Sequence, residues 1–443
     1  MNRLKVVWIC HFSNKEIRER LPLSKNRSIT FFKKIVGKKQ TTYSDFAPWI
    51  TNLIKEFEKF DNVEIHVISP HHGLVSPMSQ FSIRGINYHF FNAEFPFVLL
   101  KRIIRFLTKV KPKLFLISRF IVKRIIKQIK PDIVNLIGTE NPYYSITSLD
   151  IKDIPVFVSA QTVYTNPKRL VYAESADKFR WDLELKIHKK EKYFGCGGRM
   201  HRDLVLVNNP EAIIFKMFFP IQTPKFILQQ DKRYDFVFFA AGVAKKKGIE
   251  DAIDALAIVK KKYPGITLDI VGRTNDDYKN ILLEKIKINK LNKNIVFHDY
   301  FSVHSDMHQH ITSAKCALLP IKLDVISSAV IEAVFLDLPV ITYKTTGTPY
   351  LNSEKQSVLI SEIDDINALA ENMLKLLTNS DLALDLRTNA KEFVTKKFNN
   401  TTSAKRLLAD YYAVIEHYHD GTPIPKELLF DVDEFPIYGE KDE

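Results

Sequence analysis

The sequence predicts an α/β protein built as two doubly wound, Rossmann-like domains that face a central cleft. Three observations carry that expectation. Almost wholly apolar, β-branched runs alternate with helically spaced segments along the chain. The alternation breaks near residues 218–232 and then starts again. The length, 443 residues, exceeds what one ordinary hydrophobic core accommodates. Strands that are apolar on both faces belong to parallel sheets covered by helices on each side, because such a sheet has no face left for water.

In the first half, Val6 to Cys10 reads as the opening strand. Ser44 to Phe60 has helical spacing, with Trp49, Leu53, Ile54 and Phe57 on one face. Val63 to Ser69 and Ile86 to Phe91 read as strands, as do Pro131 to Ile137 and Pro155 to Ser159, each opened by a proline. The break holds Pro220, Pro224 and the polar run Gln229-Gln-Asp-Lys-Arg. Beyond it, strands are expected at Asp235 to Ala241, Thr267 to Val271, Asn294 to Phe297, Cys316 to Pro320 and Val340 to Thr342. Helices are expected at Gly248 to Lys261, Asp365 to Leu377, Leu382 to Phe398 and Ser403 to His417. The expected divisions are residues 1–220 and 221–402 for the two domains, 403–420 for a helix returning to the first, and 421–443 for an acidic, irregular tail. Ligands of open α/β sheets bind outside the carboxyl ends of the strands, so both sets of strand ends should line the cleft.

Lys and Arg number 65 against 51 Asp and Glu, a formal charge of +14. That surplus calls for an anionic partner: nucleic acid, a phosphorylated small molecule or an anionic membrane. No recognisable nucleic-acid module accompanies it, so no nucleic acid is expected. Cys10, Cys196 and Cys316 stand apart without pairing or metal-ligand spacing, which suggests a reducing compartment. The N-terminal segment reads as a buried strand rather than a signal peptide, and no run approaches the roughly 18 apolar residues of a membrane span. A cytoplasmic, non-spanning protein is expected.

The stretch from Asp324 to Ile341 is the most informative. It sets two carboxylates, Asp324 and Glu332, around the small turn Ser327-Ser328-Ala329, with a helical pattern and a strand following. A polar loop leading into a helix start presents backbone N–H groups to a phosphate. A carboxylate accepts two hydroxyl hydrogen bonds at once, which suits a ribose or a sugar. The plainer alternative makes Asp324 a strand end and Glu332 a solvated helix residue.

In its second half, from about Tyr234 to Ala413, the chain resembles the GT-B glycosyltransferases, specifically their large retaining family 4. Asp324 and Glu332 resemble that family's E-x7-E motif, with Asp in the first place. Glu332-Ala-Val-Phe-Leu-Asp-Leu-Pro-Val-Ile is similar to its E-A-x-A-x-G-x-P-V-I continuation, with Asp337 at the glycine. Gly242 to Gly248 resembles the G-R-x-x-x-x-K-G loop: Lys247-Gly248 matches and Gly242 takes the arginine's place. Ile270-Val-Gly-Arg273 and Gly347-Thr-Pro-Tyr350 resemble two further turns, Tyr350 standing where Glu is usual. In the first half, Trp8-Ile-Cys, Pro131-Asp-Ile-Val, Gly138-Thr-Glu140, Val158-Ser-Ala-Gln161 and Gly198-Arg199…Asp203 resemble a bacterial cell-surface polysaccharide branch.

The resemblance implies a nucleotide-diphosphate sugar as donor, a glycan or lipid-linked acceptor, and no essential metal or other cofactor. It implies catalytic or donor roles for Lys247 on the diphosphate, Gly248, Ser328 and Ala329 around the phosphates, Glu332 on the ribose and Asp324 on the sugar. Arg199 and Arg273 are further donor-binding candidates; Glu140, Gln161 and His11 are acceptor-binding candidates. Each has a plainer alternative: a solvated lysine in a basic run, a helix N-cap at Ser328, loop capping, a buried histidine, an interdomain salt bridge at Arg199. His304, His308 and His310 lie in one short helix-like segment without metal-ligand spacing, so no metal is expected there. Phe95 to Lys130 carries eleven basic residues and no acidic one among Phe, Leu, Ile and Val. That is the composition of a segment lying on an anionic membrane, or else of a packed helix with a solvated basic face. Competing functions are a GT-B nucleotide-sugar epimerase and a non-catalytic, membrane-bound partner of another transferase.

Overall fold

Two parallel sheets frame the computed structural model, which describes residues 3–23, 45–93, 115–172, 178–221, 230–298, 300–301, 303–323 and 325–434. The first sheet has eight strands: β1 Leu4–Ile9, β2 Val63–Pro70, β3 Met78–Ile83, β4 Ile86–Phe91, β5 Ile133–Ile137, β6 Val156–Ser159, β7 Tyr193–Cys196 and β8 Ile213–Lys216. Their spatial order is β3-β4-β2-β1-β5-β6-β7-β8. Only β3 runs antiparallel to its neighbour. The central strands β1, β5 and β6 are buried almost throughout, as their continuous apolar sequences require. β3, β7 and β8 escape a reading based on apolar runs. β3 mixes polar and apolar residues at a half-exposed edge, and β7 and β8 span four residues each.

The second sheet has β9 Tyr234–Gly242, β10 Leu268–Arg273, β11 Ile295–His298, β12 Ala314–Leu319, β13 Val340–Tyr343 and β14 Leu359–Ser361, in the order β11-β10-β9-β12-β13-β14. All its pairings are parallel. β9 and β12 are neighbours at the centre although strands β10 and β11 separate them in sequence. Their carboxyl ends therefore flank a topological switch point, where open α/β sheets leave a crevice. No helix among the described residues is long and apolar enough to cross a membrane.

The chain returns to the first domain at its end. Helix Asn400–Asp420 buries Ala404, Leu407, Tyr411 and Val414 in the core formed by β1, β2 and helix Pro48–Phe57. Tyr411 packs against Phe57 and Phe157, and its hydroxyl accepts from Asn135 Nδ2 at 2.5 Å. The Asn135 Oδ1 accepts from Ser159 at 2.8 Å. The described segment after the helix is not wholly irregular: it holds a 3-10 turn at Lys426–Leu428, and Phe430 is buried with its N–H bonded to the Ile214 carbonyl at 2.8 Å. The two crossings between domains meet at Asn400, whose side chain bonds both the N–H (2.9 Å) and the C=O (2.8 Å) of Ile221.

Replacing Tyr411 with Phe keeps the ring and leaves the wholly buried Asn135 Nδ2 without its partner. The expected cost is about 1–3 kcal/mol of stability, read as a lower urea midpoint with an unchanged slope.

Candidate active site

The second domain builds a cradle from the loops after β9 and β12. Gly248 sits at φ +76 between the short 3-10 turn Lys245–Lys247 and the helix Ile249–Lys260. A Cβ there would come within 1.8 Å of the Pro320 carbonyl oxygen, so only glycine lets the two loops touch. The Lys322 N–H closes the contact by donating to the Lys246 carbonyl at 3.0 Å. Of the three consecutive lysines, Lys245 and Lys246 are exposed and Lys247 is half-buried. Lys322 is committed to structure. It is buried and donates to Asp251 (2.8 Å) and Asp364 (2.7 Å). Burial disfavours its charge, but these bonds outweigh that and hold its pKa above the ordinary value.

Beside this cradle starts the helix Ser328–Phe335. Its N-cap is Ser327, so Ser328 occupies the first helical position and is exposed, which corrects the N-cap alternative by one residue. The first amides, at Ser328 and Ala329, have no intrahelical carbonyl to reach and carry the positive end of the helix dipole. Asp324 lies outside the described residues. Glu332 is buried, not a solvated helix residue. Its Oε2 lies 3.2 Å from both His304 Nε2 and His308 Nε2. Burial raises its pKa, yet the two imidazoles outweigh this and leave it below the ordinary carboxylate value; the same bond raises His304. His310, grouped with these histidines by sequence, instead joins His298 on the buried carboxylate of Asp269. Arg273 is exposed at the end of β10, its guanidinium 4.0 Å above the ring of Tyr300.

The first domain presents its own strand ends. After β5, Glu140 folds back over Gly138, which adopts φ +85. Gln161, after β6, bridges Glu140 Oε1 (3.0 Å) and Trp49 Nε1 (3.1 Å) in the amide orientation that satisfies both. Burial pushes the Glu140 carboxyl up to about 7, with the charge of Glu184 adding to it. His11, after β1, contacts Asn141 at 3.3 Å and is lowered to about 4 by burial and by the nearby His72 and His71. Those two histidines follow β2 and had no signal in sequence.

The domains touch where Gly198 precedes helix Arg199–Asn208. A Cβ on Gly198 would lie 2.8 Å from the Thr346 carbonyl oxygen, so the glycine is required by space. Arg199 is half-buried at the helix start and has no ion pair among the described residues. A crevice beside this contact is lined by Thr162, Asn166, Arg169 and His201 from the first domain and by Val325 and Thr346 from the second. Among the described residues, both ring nitrogens of buried His201 lack a hydrogen-bond partner, as does Nε of Arg169. Burial, with His188 adding to it, lowers the His201 pKa to about 3, so its imidazole is neutral. Unsatisfied buried donors and acceptors at a cleft invite a polar ligand. An isolated histidine and an arginine in the short helix Lys168–Tyr172 gave no sequence signal of this.

Residues 221–393 match the family described as Glycosyl transferases group 1. A 2-deoxystreptamine N-acetyl-D-glucosaminyltransferase of Niallia circulans is 22% identical over 162 residues; the match spans 37% of this chain and 41% of that protein. Sucrose-phosphate synthase from Thermosynechococcus elongatus superposes with a TM-score of 0.65 at 13% identity, covering 93% of this chain and 98% of that one. Anabaena Alr3699/HepE, solved with UDP and glucose, gives 0.62 at 12% identity over 93% and 100%. The two facing α/β domains are those of the GT-B fold.

The raised pKa of Glu140 has a stability consequence. Between its ordinary 4.5 and about 7 the folded state binds the extra proton, so this group makes stability fall as pH rises through that window. Glu140→Gln removes that loss. Its melting temperature should match wild type near about pH 4 and exceed it near about pH 8; parallel profiles would show that Glu140 ionises normally.

Proposed function

We propose that the protein is a retaining glycosyltransferase that moves a sugar from a nucleotide-diphosphate sugar to a glycan or lipid-linked acceptor in surface polysaccharide biosynthesis. One observation carries the reading. The segment matching Glycosyl transferases group 1 contains the Gly248 cradle, the Ser328 helix start and the buried Glu332, at the carboxyl ends of β9 and β12. The Anabaena structure with UDP and glucose supports a UDP-sugar as the class of donor.

In this reading Lys247 neutralises the diphosphate, and the amides of Ser328 and Ala329 hold its distal phosphate, where leaving-group charge develops. Glu332 accepts the ribose hydroxyls and Asp324 those of the donor sugar. Arg199 reaches the diphosphate from the first domain, and Arg273 with Tyr300 offers a flat cationic surface to the donor. Glu140, Gln161 and His11 bind the acceptor, while the open nitrogens of His201 and Arg169 take hydroxyls in the crevice between the domains. Nucleotide departure followed by attack on the same face retains configuration without a protein nucleophile. No metal is required for these steps, and the enzyme works in the cytoplasm.

The acceptor side lies against an anionic membrane. Residues 95–114 of the basic segment fall outside the described residues. In helix Leu116–Ile129, Ile121, Val122, Ile125 and Ile126 face inward, while Leu116 and Phe120 are each 68% exposed beside Lys123, Arg124 and Lys127. Apolar side chains among cations suit insertion between anionic headgroups. Arg119 is not part of that face, being held by Asp150 at 2.5–2.6 Å.

Glu332→Ala and Lys247→Ala should each lower kcat/KM for sugar transfer by roughly 10- to 150-fold, the worth of a charge-assisted hydrogen bond of about 1.5–3 kcal/mol. Undiminished transfer by folded variants removes the site assignment. The protein should co-sediment with anionic and not neutral vesicles, and Phe120→Ser with Lys123→Glu and Arg124→Glu should abolish this; equal binding to both vesicles counts against membrane docking.

A further inference from the structure

Glu332 carries a buried charge that needs a counter-charge. Among the described residues its ion-pair partners are two imidazoles, with no lysine or arginine. The balancing cation is therefore a proton on an imidazole or a metal ion. His304 and His308 lie one turn apart on helix His304–Ile311, so both rings project on the same side toward the Ser328–Phe335 helix. The three ligand atoms lie within 4.8 Å of one another.

The distances suit an ion. Each Nε2 stands 3.2 Å from Oε2, at the upper end of the N–H···O range of about 2.7–3.2 Å. A tetrahedral zinc with bonds of about 2.0–2.1 Å holds its ligand atoms about 3.3–3.4 Å apart. The second histidine–carboxylate group provides the contrast. His298 and His310 approach separate oxygens of Asp269 at 2.6 and 2.7 Å, which are direct hydrogen bonds too short for tetrahedron edges.

We propose that His304, His308 and Glu332 form a site for a borderline-soft divalent ion of the zinc type, with its fourth position open to solvent. Two imidazoles and one carboxylate select such an ion over magnesium or calcium, which take oxygen ligands. The His304 side chain is 44% exposed, so an ion can enter without unfolding the helix pair. Resting on the ribose role proposed above, the site also links metal to donor: an ion on Oε2 withdraws the carboxylate's charge, so metal and nucleoside weaken each other's binding.

Full-length protein stripped with a chelator and titrated with cobalt(II) should develop a tetrahedral d–d band at one equivalent, bleached by zinc. His308→Ala should lose the band, His310→Ala should keep it, and His304→Ala, at a half-exposed position, serves if His308→Ala does not fold. No band, or one that survives the loss of either His304 or His308, overturns the site. Uridine, which has no phosphate to chelate metal, should bind several-fold more weakly with zinc present, and equally with or without zinc in His304→Ala; no effect of zinc on wild type overturns the link. Uridine binding unchanged by Glu332→Ala in metal-free protein would overturn the ribose role while leaving the cobalt result standing.

Discussion

Both chain crossings between the domains are fastened to each other by one side chain. Asn400 holds the Ile221 peptide from both sides, donating to its carbonyl and accepting from its N–H. A few residues further on, the chain commits Leu407, Tyr411 and Val414 to the first domain's core. The second domain is thus tethered at one edge by adjacent strands of chain. Phe218, stacked on Tyr350 and against Phe398, fills the seam beside that edge. A further contact, Gly198 against Thr346, needs the absence of a side chain. The crevice between the domains lies beside that contact.

Within the cleft, two carboxylates have opposite electrostatic settings. Glu140 is withdrawn from water without a cation close enough to compensate, and it keeps its proton to about 7. Glu332 is also buried, but two imidazoles face it and it stays ionised. Pairs of acids pushed apart in this way divide labour, one as proton holder and hydrogen-bond donor, the other as fixed acceptor. His11 and His201, lowered to about 4 and about 3, add neutral imidazoles to the first domain's side. The first domain's wall thus offers neutral hydrogen-bonding groups, and the second domain's floor an ionised carboxylate.

Much of this was legible in sequence, for identifiable reasons. Strands such as β1, β5 and β10 announce themselves because burial on both faces demands unbroken apolar runs. The turn at Gly248 and the helix start at Ser328 were legible because loop and helix patterns are local in sequence. What was illegible is what the fold assembles from afar. Glu332 is 24 residues from His308, so spacing within the histidine run could not show that His304 and His308 face Glu332 while His310 faces Asp269. His201 and Arg169 matter through the partners they lack, which no sequence records. Short edge strands such as β8 carry too few residues for periodicity to register.

Where the chain departs from the resembled motifs, the geometric role of the usual residue is kept and its chemistry is changed. Asp337 stands at a glycine position and adopts φ 59. It closes the helix as glycine would, its N–H reaching Val334 and that of Leu338 reaching Ala333, both at 3.0 Å. Asp tolerates this region better than most residues, and Lys391 pairs with it at 2.8 Å. Tyr350, in place of a glutamate, is buried between Phe218 and Phe393, exchanging a polar group for a hydrophobic seal at the hinge. Gly242 differs in kind. A side chain there would meet nothing within 4 Å, so no packing constraint accounts for the missing arginine. The position has given up charge and not shape, while on the opposing domain Arg199, half-buried at its helix start, has no ion pair among the described residues.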